Sequence, residues 1–146
     1  MSKLMIPTRG TLLAKLPVYC DVQPLMRPRM RGRVKGVYQP LTNQHELRRA
    51  LSAYNPLRIA EPVIIDTYIS LKAAKSSKLA YPVGLRHGDE DNLRKAINDA
   101  LVAMHMLEDD KFVLGGENYK FFGPEGMCLT LVWSVHGTET KGIDNV

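Results

Sequence analysis

Two acidic triplets frame one stretch of this chain. Asp89, Glu90 and Asp91 open it, Glu108, Asp109 and Asp110 close it, and Lys95 and Asp99 lie between. The protein has 15 acidic residues against 20 lysines and arginines, a net charge of +5. Concentrating six of those acids in two triplets costs self-repulsion unless a cation or a partner answers it. Carboxylates are hard oxygen donors, and no Cys or His cluster accompanies them. That donor set selects Mg²⁺, with Mn²⁺ as a substitute, over zinc. Divalent ions held by carboxylates activate a water and offset charge on a phosphate, the two needs of phosphodiester hydrolysis. The chemistry such a stretch could do is therefore that of a metal-dependent nuclease.

A second constellation points to the same substrate. In RPRMRGRVK, Arg27, Arg29, Arg31, Arg33 and Lys35 occupy alternate positions. On an extended backbone residues two apart share a face about 6.6 Å from each other, a basic comb suited to a phosphate backbone. Pro28 and Gly32 argue against a helix there. Tyr38 follows as a residue that either stacks on a base or caps the core. The positive balance, with a sequence pI near 9.3, fits a polyanionic partner such as nucleic acid.

These residues need elements to hold them. From 91 to 106 the apolar positions Leu93, Ile97, Ala100, Leu101 and Met104 form a helical stripe, with Asp89 or Asp91 as its cap. Residues 62–72 (PVIIDTYISLK) read as a central strand with Val63, Ile65, Thr67, Ile69 and Leu71 on one face. Asp66, on the other face, reads as a hydrogen-bonded structural acid rather than a further ligand. Residues 12–22 predict a first strand, which Pro17 confines to an edge or a bulge. Residues 41–54 predict a helix with Asn43 and Glu46 as a capping-box-like start, ending before Pro56. Residues 73–88 read as a long surface loop delivering the chain to Asp89. After Asp110, two strands joined around 123–126 predict an antiparallel hairpin, with Gly115-Gly116 marking a bulge.

At 146 residues the chain is expected to form one domain over 1–136, with a polar, frayed tail from 137 to 146. The expected class is α/β in the mixed sense, a sheet of about four strands with two main helices. Cys20 and Cys128 stand alone and read as reduced packing cysteines. No stretch approaches the roughly 20 apolar residues of a membrane span, and the first residues develop no signal-peptide run. The expectation is a cytoplasmic protein with no membrane partner.

The pattern Asp89-x-Asp91-Asn92-x-x-Lys95-x-x-x-Asp99-Ala100-Leu101, followed by Asp109-Asp110, resembles the RusA family of Holliday junction resolvases. The resemblance is close from Asp89 to about Lys120, loose over the basic RPR segment, and absent at the C-terminal tail. It implies a small homodimeric endonuclease, often phage- or prophage-encoded, that uses Mg²⁺ or Mn²⁺ to nick four-way DNA junctions symmetrically. It implies further that Asp89, Asp91 and Asp110 are the essential acids and metal ligands, and that Lys95 is the functional lysine. Glu90 departs from the family, which usually has an apolar residue there. Lys95 has a second reading as an i,i+4 ion pair with Asp91 or Asp99. Asp99 reads as structural, Asp109 as a second-rank candidate, and His87 as a phosphate contact or a bystander.

Helix geometry constrains the site. One continuous helix over 91–107 would separate its ends by about 24 Å at 1.5 Å per residue. Asp110 would then not share a metal with Asp89 and Asp91 of its own chain. Two such helices antiparallel about a two-fold axis would bring the start of each to the end of the other. A composite site is the expectation. The alternatives are another structure-specific nuclease acting on flap or branched DNA, and a non-catalytic DNA-binding module.

Overall fold

The computed structural model describes residues 2–24, 29–30, 37–38, 44–84 and 87–145, with the side chains of 29–30, 37–38 and 145 left aside. Seven strands and two helices run in the order β1 (Lys3–Val18), β2 (Arg29–Met30), β3 (Val37–Tyr38), α1 (Gln44–Leu51), β4 (Val63–Lys72), α2 (Glu90–Ala103), β5 (Val113–Gly115), β6 (Asn118–Gly123) and β7 (Met127–Gly142). The main sheet has the order β1-β7-β4, with β5 and β6 both on the far side of β4. It is a mixed α+β fold of five strands and two main helices, as the sequence led us to expect.

β4 is central, with β7 antiparallel on one side and β5 and β6 parallel on the other. A parallel return to the same sheet needs a long crossover, and α2 supplies it. The consequence corrects the expected hairpin: β6 and β7 do not pair with each other, because β4 lies between them. The turn residues at 123–126 reverse the chain, but into a different sheet position. β1 pairs along its length with β7, from Lys3↔Gly142 to Val18↔Cys128. Residues 137–142, expected to fray, are therefore strand, and β1 begins nine residues earlier than the apolar pattern at 12–22 indicated. β1 is an edge strand, as Pro17 required.

One face of the sheet carries both helices. Leu16 and Val18 of β1, Cys128 and Val132 of β7, and Val63, Ile65 and Ile69 of β4 meet Leu47 and Leu51 of α1 and Leu93, Ala96, Ile97, Ala100 and Leu101 of α2. A 14-residue helix is marginal in water by itself. Burying Leu93, Ile97 and Leu101 contributes about 5–9 kcal/mol as an upper figure, enough to hold α2 against the sheet. The other face carries Ile64, Asp66, Tyr68 and Ser70 of β4, and no helix among the described residues covers it.

α2 ends sooner than its apolar stripe does. His105 adopts φ +58°, the left-handed conformation that usually falls to Gly. Its amide donates to the Val102 carbonyl at 3.0 Å, and the Met106 amide to the Leu101 carbonyl at 2.9 Å. That closure turns the chain so that the Ile59 amide meets the Met106 carbonyl and the Glu108 amide meets the Ile59 carbonyl, each at 2.9 Å.

Candidate metal centre

Asp89 stands at the N-cap position of α2 with extended backbone, and its carboxylate makes no capping bond. The expected cap is thus present in position only. Asp91 lies in the first turn and is exposed, as are Asp89 and Glu90. Neither Asp89 nor Asp91 has an ion pair or hydrogen bond to its carboxylate among the described residues. Two acids one turn-start apart, both left to solvent, offer hard oxygen donors next to backbone N–H groups that favour negative charge.

Asp110 is elsewhere. α2 spans about 20 Å at 1.5 Å per residue, and Asp110 lies at its far end. There it shares a cavity of about 370 Å³ with Asp99, Val102, Ala103 and Asp109. Among the described residues no three His, Cys, Asp or Glu side chains of one chain gather to hold a metal. The chain thus brings Asp89 and Asp91 together and keeps Asp110 apart, the arrangement that helix geometry required. The donor set fits a hard divalent cation, and the pair makes up two of the three acids that the resemblance implies.

Lys95 points its ammonium at Asp99, 3.5 Å away and four residues on, with Lys95 59% exposed. The ion pair is with Asp99, not Asp91, and such exposed pairs contribute well under about 1 kcal/mol. Asp109 is occupied locally. Its Oδ1 accepts from the Lys111 amide at 2.9 Å and caps the short turn Asp110–Phe112, which holds its carboxyl below the usual range.

His87 is buried. Its Nδ1 accepts from the Gly84 amide at 3.0 Å, its own amide returns to the Gly84 carbonyl, and its ring meets Phe122 edge-on at 5.3 Å. The imidazole closes a turn ahead of Asp89.

Of the basic comb, Arg29 lies on β2 opposite Tyr38 of β3. Arg27, Arg31, Arg33 and Lys35 lie outside the described residues, as does Asn43. On α1, Arg48 and Arg49 are exposed.

Asp66 is an acid whose oxygens are already taken. Arg9 grips it with two bonds, Nε to Oδ2 at 2.9 Å and Nη2 to Oδ1 at 2.6 Å. Trp133 Nε1 donates to Oδ2 at 2.9 Å and the Glu117 amide to Oδ1 at 2.8 Å. Burial alone would raise this carboxyl; the bonds from Arg9, the Glu117 amide and Trp133 outweigh it and hold the group below the usual range. The Glu117 amide reaches Asp66 because Gly116 lets the chain run close against β4. A Cβ there would stand 1.9 Å from the Ile65 carbonyl oxygen, and φ is +137°. The bulge expected at Gly115-Gly116 falls one residue earlier, where the register against β4 shifts between Val113 and Gly115. The cysteines are inert packing groups: burial pushes the Cys128 thiol up to about 12.

The site residues that sequence reasoning missed lie on β6. Asn118 Nδ2 donates to the Glu90 carbonyl at 2.8 Å, and Lys120 Nζ to the Gly88 carbonyl at 2.8 Å. The only advance signal was the period-2 spacing of Asn118, Lys120 and Phe122, which also describes any strand.

No family model matches the chain, and no curated protein matches it.

Proposed function

We propose that this protein is a Mg²⁺-dependent endodeoxyribonuclease that cuts branched DNA, four-way junctions above all, as a two-fold dimer with composite sites. The observation that carries the reading is the state of three acids. Asp89 and Asp91 are exposed and, among the described residues, unengaged at one end of α2, and Asp110 lies beside the other end. In a dimer with antiparallel α2 helices, Asp89 and Asp91 of one subunit face Asp110 of the partner subunit. The outward stripe of α2 suits that pairing, because Lys95 and Asp99 would answer each other across the axis.

Asp89, Asp91 and Asp110 would hold the metal, which when bound supplies an activated water and offsets charge on the scissile phosphate. Mn²⁺ would substitute, since the donors are oxygens. Lys95, held loosely by Asp99, is free to swing to a phosphate oxygen and stabilise its charge. Water adds to phosphorus and one P–O ester bond breaks, leaving a phosphate monoester and a hydroxyl end. Two sites related by a two-fold axis suit a junction that is itself near two-fold symmetric, so paired nicks follow. Arg27, Arg29, Arg31, Arg33 and Lys35 would track the backbone, setting position rather than sequence preference. The described residues include no helix long and apolar enough to cross a membrane.

The test incubates the protein with labelled four-way junction, linear duplex and flap DNA, with and without Mg²⁺. Symmetric, metal-dependent nicking of the junction alone is the expected result. Cutting of flaps instead would move the reading to another structure-specific nuclease, and binding without cutting under any metal would overturn the enzyme reading. Sedimentation should give twice the mass of the 16.4 kDa chain.

A further inference from the structure

The segment that delivers Asp89 and Asp91 is gripped by one row of β6. In a strand, residues two apart lie on one face, and Asn118, Lys120 and Phe122 form such a row on the helix side of the sheet. Phe122 meets the His87 ring, Lys120 Nζ bonds the Gly88 carbonyl, and Asn118 Nδ2 bonds the Glu90 carbonyl. Three successive row positions thus hold three of the four residues from His87 to Glu90, and the one left ungripped is Asp89.

The grip is anchored in the core. The hydroxyl of Thr67, fully buried on β4, donates to Asn118 Oδ1 and fixes which way that amide faces. Lys120 makes no ion pair among the described residues. Its ammonium is committed to a backbone carbonyl one residue before Asp89. Gly88, at φ +77°, presses on Pro24 on its other side: a Cβ there would lie 2.8 Å from the Pro24 ring. The turn is enclosed from both sides.

We infer that Asn118, Lys120 and Phe122 form a positioning clamp that sets where the Asp89 and Asp91 carboxylates stand, with Lys120 as its principal member. A charge-assisted bond to a backbone carbonyl is the strong kind. The clamp acts through the backbone of the turn, so Lys120 is a positioning residue and not a catalytic one. The consequence for metal and DNA rests on the nuclease reading; the consequence for the turn does not.

The experiment compares wild type with Lys120→Met and Lys120→Arg, using Asn118→Ala as a second way to loosen the same turn. The first measurement is amide hydrogen exchange over residues 88–93 at matched thermal stability. Lys120→Met should raise exchange there about 10-fold, as loss of one charged hydrogen bond would, with Lys120→Arg close to wild type. Unchanged exchange in both Lys120→Met and Asn118→Ala overturns the clamp whatever the protein's activity. The second measurement is Mn²⁺ titration alongside junction cleavage. Lys120→Met should bind Mn²⁺ about 10-fold more weakly, in the range typical of groups that orient metal ligands, and should recover most of its rate at saturating metal. Mn²⁺ affinity equal to wild type overturns the positioning role. A wild type that neither binds Mn²⁺ nor cuts DNA defeats the nuclease reading, and the exchange result still decides the clamp.

Discussion

Asp66 and the pair Asp89–Asp91 are carboxylates in one small fold, treated in opposite ways. Asp66 is buried and receives four donors, from Arg9 twice, Trp133 and the Glu117 amide. Asp89 and Asp91 are exposed and receive none among the described residues, although the backbone carrying them is held by Asn118 and Lys120. At Asp66 the fold completes the charge and leaves the group nothing to offer a ligand. At Asp89 and Asp91 it fixes the main chain and leaves the charge open. The lesson is that a carboxylate's role is read from what its oxygens already accept, more than from its burial.

The widest gap between the two should appear in activity. Asp91→Asn is expected to lower junction cleavage by about 10²-fold or more, with junction binding retained in a gel-shift assay. Its unfolding free energy should stay within about 0.5 kcal/mol of wild type, as for most exposed positions. Retained cleavage would break the comparison at its functional end.

Asp66→Asn should do the reverse. It strands the Arg9 guanidinium and weakens the Trp133 and Glu117 bonds. We expect a loss of about 2–3 kcal/mol in urea unfolding. That lies below the ~3–5 kcal/mol for breaking a fully buried pair, because Arg9 is 39% exposed and solvent screens it. Cleavage per folded molecule should persist. The same residue predicts a pH dependence. Its folded pKa is depressed, so its contribution is complete above the unfolded value of about 3.9 and is lost as pH falls through the folded value. The gap between the urea midpoints of wild type and Asp66→Asn should therefore hold steady down to about pH 4 and close as pH falls further.

Less far-reaching is Arg29→Ala, which removes one member of the basic comb. Junction affinity should fall at all sequences alike, and the slope of log K against log salt should flatten by roughly one unit. Smallest of all, His105→Gly relieves a left-handed φ at the end of α2 and should stabilise by about 0.5 kcal/mol without changing the Mn²⁺ affinity of the Asp89–Asp91 half-site.

Local patterns were legible in the sequence where a single element decides them. The apolar row of β4 and the stripe of α2 reported their own burial, and Pro17 reported an edge. The separation of Asp110 from Asp89 followed from helix length alone. What escaped was non-local or rested on one atypical residue. The turn at 123–126 looked like a hairpin, but its two strands straddle β4, and no local signal distinguishes the two outcomes. α2 was read through to 106 because His105 is neither Gly nor Pro, the usual markers of a stop. Asp66 was recognisable as an acid needing bonds, yet its partners Arg9 and Trp133 lie 57 and 67 residues away. Lys120 escaped for the same reason, 32 residues from Gly88. Likewise β1 was cut short because residues 3–11 lack an apolar alternation, and only pairing with β7 shows them as strand.

That pairing has a consequence for how the molecule is made. Lys3 lies opposite Gly142, so within this sheet the earliest described strand closes on the latest. During translation β1 has no partner until β7 has left the ribosome, and contacts of such sequence separation form slowly. An unpaired strand waiting that long is a template for association with other chains. Pro7 and Pro17 lie within β1 and cannot donate to a neighbouring strand. They interrupt the ladder that a second nascent chain would need, and so guard the strand during the interval in which its own partner does not yet exist.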